Sequence, residues 1–216
     1  MAKELDPSEL GTLEYWEKTY ALEIENFKDH GDTGEIWFGS ENASKVIRCI
    51  NSKLEMKKDD KIIDLGCGNG MLLVDLAENG FKNLVGVDYS QKAINLANSV
   101  LKDSKVDCVK IQVCDILDET NLLSNDFKLA HDKGTYDAIS LHPENPKENR
   151  LKYIKNIHKI LLPGGYLLLT SCNWTKDELI EHFKEKFNFL LELPTKTFSF
   201  GGQTGNTVTQ LVFIKQ

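Results

Sequence analysis

From Lys61 onward the chain alternates short apolar runs with segments whose apolar residues recur at helical spacing, the pattern of strands laid between covering helices. The first run spans about 61–66. A helix with Leu72, Leu73, Leu76 and Ala77 inward follows, closed by Asn79-Gly80 as a left-handed cap. The second run, 84–88, leads into a helix capped by Ser90 that carries Ile94, Ala97, Val100 and Leu101. Residues 109–113 and about 127–132 read as the third and fourth strands. A helix with Leu151, Ile154, Ile157 and Leu161 inward is expected to end at Pro163-Gly164-Gly165. Residues 166–171 are apolar, as in a central strand covered on both faces. Thr175-x-x-Glu178 is a capping box that opens a last helix with Leu179, Ile180, Phe183 and Phe187 buried.

The two ends of the chain read differently. Before the alternation, Leu13, Trp16, Tyr20, Ile24 and Phe27 fall on one helical stripe with Thr12 as N-cap. A break at 30–34 separates it from a second helix, capped by Ser40, with Ala43, Val46, Ile47 and Ile50 inward. After the last helix, 189–193 and 208–214 are strands joined by a Gly/Thr/Ser-rich connection with no room for a packed helix, so they should pair antiparallel. The sum is an α/β fold: a doubly wound, mostly parallel seven-stranded sheet with a C-terminal antiparallel strand pair and an N-terminal helical lead-in. Neither an internal repeat nor a linker is visible, so residues 1–216 are read as one domain, with 1–56 as the lead-in and 57–216 as the core.

Composition narrows the class. Hydrophobic residues make up 41% and charged residues 27% of 216 positions, the balance of a soluble globular protein. No apolar run approaches the length of a membrane span, and 1–6 lacks a signal-peptide pattern. A net charge of −7 argues against nucleic acid as partner and is compatible with a basic protein. Cys49, Cys67, Cys108, Cys114 and Cys172 are scattered, without a Cys-x-x-Cys, and read as reduced thiols. The five histidines have no ligand-like spacing, so no metal is expected, and His158 reads as half-buried. The chain is therefore expected to be a monomer in the cytoplasm, with the nucleus as a second location.

Candidate chemistry lies at the strand ends, where open α/β sheets bind ligands. The first strand ends in Gly66-Cys67-Gly68-Asn69-Gly70, and the second ends in Asp88. Glycines there let backbone approach a ligand, and a carboxylate at the second strand tip can accept both hydroxyls of a ribose. A dinucleotide fingerprint needs its third glycine where Met71 stands; here it comes one residue early. That spacing resembles motif I of the S-adenosylmethionine-dependent methyltransferases. The resemblance implies that S-adenosyl-L-methionine is held by Gly66, Gly68 and Gly70 at its methionine end and by Asp88 at the ribose. Asp115 would accept from the adenine amino group, with Tyr89 and Ile116 flanking the ring, and Asp64 would orient the turn or the ammonium through water.

From about residue 35 the chain resembles class I, seven-β-strand, Rossmann-like methyltransferases. Four rarer segments sharpen this: 31–39, 132–140, 171–175 and 198–206. Together they are similar to the protein-lysine methyltransferases that modify translation elongation factor 1-alpha. The resemblance implies an enzyme that methylates the N-ε atom of one lysine in that protein. Such a reaction needs in-line positioning, which can remove roughly 7–11 kcal/mol of barrier. It also needs a neutral amine, from a lysine whose unperturbed pKa is about 10.4. Asp132, at the fourth strand tip, is the polar candidate to accept from the incoming amine; its other reading is a cap on the turn that follows. Lys133 reads as a support of that loop. Trp37, Phe38, Asn173 and Trp174 are candidates to line the substrate lysine, the aromatics as a cation–π wall or, alternatively, as packing anchors. A small-molecule methyltransferase and a cofactor-binding regulatory protein without turnover stay as rival functions. A base-amino methyltransferase is disfavoured because 132–135 reads Asp-Lys-Gly-Thr and not the Asn/Asp-Pro-Pro-aromatic motif.

Overall fold

The computed structural model describes residues 4–35, 37–118, 123–195, 197–200 and 203–216. Ile36, Gly201 and Gly202, within two of the four family-like segments, lie outside the described residues. Seven strands form one sheet in the order β3-β2-β1-β4-β5-β9-β6. These are β1 (Lys61–Leu65), β2 (Asn83–Asp88), β3 (Val109–Val113), β4 (Phe127–Lys133), β5 (Leu161–Ser171), β6 (Phe187–Glu192) and β9 (Thr209–Lys215). The first five run parallel, and β9 lies antiparallel between β5 and β6. β1 pairs with β2 on one side and β4 on the other, so the chain reverses its direction of travel across the sheet there. That is the switch point where the strand ends splay into a crevice.

Helices cover the sheet on both faces. α1 (Leu13–His30) begins at Thr12, whose hydroxyl accepts the Tyr15 N–H, and ends at Gly31 in a left-handed turn. Its Tyr20, Ile24 and Phe27 rest on Val74, Leu96, Val100 and Leu101 of α3 (Met71–Glu78) and α4 (Gln91–Asp103). Leu13, expected on the same stripe, is exposed. α2 (Gly39–Ser52) buries Val46, Ile47, Cys49 and Ile50, and leaves Ala43 half-buried. α5 (Thr135–Ser140) and α6 (Pro146–Ile160) follow β4, and α7 (Lys176–Phe183) follows β5 with the expected Thr175–Glu178 capping box. No described helix is long and apolar enough to cross a membrane.

Several expectations need correction. The helix before β5 stops at Ile160, and the strand already starts at Leu161, which pairs with Phe127. Pro163-Gly164-Gly165 lies inside that strand, where the β4–β5 register shifts between Phe127 and Leu129. Leu151 is 61% exposed; Tyr153 and Ile160 complete the inward stripe with Ile154 and Ile157. Phe187 opens β6 rather than closing α7, and Ile180 is only half-buried. The N-cap of α2 is Phe38, not Ser40; it holds φ of 65° and makes no side-chain cap bond. The connection to β9 contains an antiparallel hairpin, β7 (Thr197–Phe200) with β8 (Gln203–Asn206), which the composition of that stretch did not suggest.

Candidate active site

The turn from β1 into α3 is built around three positive φ values, 65° at Gly66, 54° at Gly68 and 76° at Gly70. Side chains cannot follow this path without strain, and there is no space for them. A Cβ on Gly66 would lie 2.0 Å from Thr135 Oγ1, and one on Gly68 would lie 2.6 Å from Tyr20 Oη. The turn is also tied down. Cys67 N–H donates to Val87 O at 2.9 Å, and Asn69 Nδ2 donates to Thr33 O at 2.8 Å. Thr135 Oγ1 donates to Leu65 O at 2.7 Å, so the start of α5 is fastened to the same strand end.

Asp88 closes the other side of the crevice. Its Oδ2 accepts the Gly68 N–H at 3.1 Å and its Oδ1 the Ser90 N–H at 2.9 Å. A carboxylate offers about four lone-pair sites, so these two bonds do not exhaust Asp88, which lines the cavity. Burial pushes its pKa up to about 6 against the pull of the two N–H donors. Asp115 folds an Asx turn, accepting the Leu117 N–H at 2.9 Å, and lines the cavity with Tyr89 and Ile116.

The cavity holds about 260 Å³. Asp88, Tyr89, Asp115 and Ile116 line it together with Gly66 and Gly68; so do Trp37, Phe38 and Asn173. Aromatic rings gather there. Trp16 and Trp37 lie 5.2 Å apart between centroids, Trp16 and Tyr20 5.9 Å, and Trp37 and Phe38 6.3 Å. Among the described residues, no cluster of His, Cys, Asp and Glu could hold a metal ion.

Four expected site residues lie elsewhere. Asp132 is fully buried beneath the site and does not line the cavity. Its carboxylate accepts the Thr135 N–H at 3.0 Å, the Tyr136 N–H at 3.0 Å and the Tyr153 hydroxyl. It is therefore the cap of α5 and its link to α6, which corrects its reading as the group that meets an amine. Asp64 does not line the cavity; its Oδ1 pairs with His131 at 2.7 Å on the neighbouring strand. Gly70 is a packing position, since a Cβ there would sit 3.2 Å from that of Ala97. Trp174 is buried, donating to Ser140 Oγ at 3.1 Å beneath the Arg150 guanidinium, and is an anchor rather than a wall.

A model of the methyltransferase domain family matches residues 56–212. Human EEF1A lysine methyltransferase 2 is 47% identical over 209 residues, covering 97% of this chain and 88% of that protein. The chain belongs to the EEF1A lysine methyltransferase 2 family. Protein-lysine N-methyltransferase EFM4 of Saccharomyces cerevisiae is 35% identical over 99% of this chain and 97% of its own length. Solved structures extend the likeness in fold alone. The N-methyltransferase NodS of Bradyrhizobium japonicum, in complex with S-adenosyl-L-homocysteine, matches with a TM-score of 0.68 at 18% identity, covering 95% of this chain and 98% of that one. The [4+2]-cyclase SpnF matches with 0.70 at 14% identity, covering 98% and 97%, so this architecture hosts unrelated chemistries.

Against that family background, the residues that sequence reasoning missed come from the lead-in helix and from β4. Trp16, Tyr20 and Glu23 of α1 line the cavity, as does Lys133. Trp16, Tyr20 and Glu23 are spaced i, i+4 and i+7, one face of a helix, so the signal was present. It was hidden because Tyr20 also belongs to the stripe that packs on α4. Burial lowers the pKa of Lys133, while Asp64 and Asp132 favour its charged form and offset part of that effect.

Proposed function

We propose that the chain is an S-adenosylmethionine-dependent protein-lysine N-methyltransferase acting on translation elongation factor 1-alpha, the protein named in its curated relatives. The observation that carries the cofactor half is the pairing of a glycine cradle with the Asp88 carboxylate, which accepts the Gly68 N–H and lines the same cavity. In this reading the backbone of Gly66–Gly68 holds the methionine end and Asp88 the ribose diol. Asp115, Tyr89 and Ile116 hold the adenine. S-adenosylmethionine, when bound, supplies a methyl group already activated by its sulfonium. The chain's own work is to orient an amine, exclude water and let a proton leave. Trp37, Phe38 and Asn173 are the walls of the lysine channel. Residues 1–216 act as one domain, with 1–56 as lead-in. The protein is read as a monomer in the cytoplasm, with the nucleus as a second location, and as one that does not take nucleic acid, the last point supported by its net charge of −7.

Asp88 gives this reading a pH signature. Hydroxyl donors favour the ionised carboxylate, so ligand binding pulls its pKa down from about 6. Binding therefore weakens as pH falls through about 6, where Asp88 of the free protein takes up a proton that the ligand must expel. Calorimetry with S-adenosylhomocysteine from pH 7.5 to 5 should show falling affinity and proton release near pH 6. An affinity flat across that range contradicts the ribose role.

The acceptor is tested by incubating the chain with methyl-labelled S-adenosylmethionine and elongation factor 1-alpha, then hydrolysing the product in acid. Methyl-lysines are expected. Label in methyl-arginine, in a nucleoside or in a small metabolite contradicts the assignment.

A further inference from the structure

The lysine reading leaves open what receives the ammonium on its way to the methyl group, and Glu23 is one of the carboxylates that line the cavity. Glu23 stands on α1 one turn beyond Tyr20, lining the same cavity as Trp16, Trp37 and Phe38. It makes no ion pair among the described residues. The hydrogen bond it does make is long, from the Glu35 N–H to Oε1 at 3.4 Å. The backbone approaches it through Gly34, which holds φ of 88°; a Cβ there would come within 2.6 Å of Glu23 Oε2. Asn69 fixes the same loop to the glycine-rich turn through Thr33 O. The 31–35 segment is thus folded onto Glu23 and the cofactor cradle at once.

The field at this point is acidic. Burial raises the Glu23 pKa first and the Glu35 N–H pulls it back; the Glu35 and Asp32 charges then raise it, while Lys133 lowers it by less than either. Tyr20, whose phenol feels both Asp88 and Glu23, stands between this group and the ribose side. A half-buried carboxylate without an ion pair, in a cavity that Trp16, Trp37 and Phe38 also line, is unfavourable alone and favourable once an ammonium arrives.

Resting on the lysine assignment above, we infer that Glu23 receives the substrate ammonium in the channel and accepts its proton. The N–H bond breaks with its electron pair left on nitrogen as the attacking lone pair, and the proton moves to a Glu23 carboxylate oxygen and then to solvent. Glu35 and Asp32 raise the negative potential at that point, and the rings hold the aliphatic stem.

The test is Glu23→Gln, which can still accept the Glu35 N–H. A charged Glu23 takes up the abundant ammonium, so wild-type kcat/KM for elongation factor 1-alpha should be nearly flat from pH 7 to 9. The variant must draw the rare neutral amine from solution, a population that rises about tenfold per pH unit below the lysine pKa of about 10.4. Its kcat/KM should be at least tenfold lower at pH 7, with the deficit closing towards pH 9. Affinity for S-adenosylhomocysteine, measured by calorimetry, should stay within twofold. A deficit independent of pH would make Glu23 a mere support of the 31–35 loop, and an unchanged rate would remove its role; either overturns the inference while the lysine assignment stands. A parallel loss of S-adenosylhomocysteine affinity would move Glu23 to the cofactor's own ammonium and overturn it too. If the wild type leaves elongation factor 1-alpha unmodified, the assignment itself fails and the inference with it.

Discussion

Asp132→Ala is expected to destabilise the fold by about 3–5 kcal/mol, because a buried acceptor of several hydrogen bonds is removed and its donors are left unpaired. Three donors converge on this carboxylate, from Thr135, Tyr136 and Tyr153, and both tyrosines are fully buried. Alanine supplies no acceptor. Each orphaned donor costs about 1–3 kcal/mol, with partial relief where Thr135 can turn towards solvent. For a chain of this size the loss corresponds to a fall in melting temperature on the order of 10 °C. Thermal unfolding followed by circular dichroism reads it directly. A variant that melts like the wild type but has lost kcat would return Asp132 to the reacting amine, against the geometry described here.

Asp88→Ala should reduce cofactor affinity between ten- and a thousandfold. Two hydrogen bonds from a ligand diol to a buried carboxylate are worth roughly 1.5–3 kcal/mol each, and such pairs are not additive. The resulting 1.4–4 kcal/mol is about one to three powers of ten in Kd. The substitution also frees the N–H groups of Gly68 and Ser90, so the glycine cradle loosens as the diol loses its partner. The loss therefore falls on affinity more heavily than the two ligand bonds alone imply. Calorimetry with S-adenosylhomocysteine on the folded variant measures it, and an affinity within twofold of wild type would remove Asp88 from the site.

The alternation of strands and helices, the antiparallel C-terminal pair and the place of Asp88 at the tip of the second strand were legible because local rules fix them. An apolar run ending in closely spaced glycines, and another ending in Asp88, leave little freedom once the strands are parallel neighbours. The fourth strand was harder. Successive strand residues face opposite sides, so His131 and Lys133 share one face and Asp132 takes the other. Nothing in 127–133 says which face meets the cavity, and the structure gives it to Lys133. Trp174 was ambiguous for a related reason. Its partners Ser140 and Arg150 lie 34 and 24 residues away in sequence, so the burial of its indole is a tertiary event. The start of β5 was misread because Pro163-Gly164-Gly165 has the composition of a stop signal. In the sheet these residues occupy the irregular part of the β4–β5 pairing, the setting in which Pro and Gly are tolerated. Glu23 does not stand out in the sequence, because its setting depends on a loop that returns at Gly34.

The most direct test of the whole account is peptide mass spectrometry of elongation factor 1-alpha after incubation with the chain and S-adenosylmethionine, run beside the Asp88→Ala variant at the same concentration. The account predicts one lysine peptide that gains one or more methyl groups with the wild type and stays largely unmodified with the variant. An unmodified elongation factor with the wild type, or equal methylation by both proteins, would contradict it.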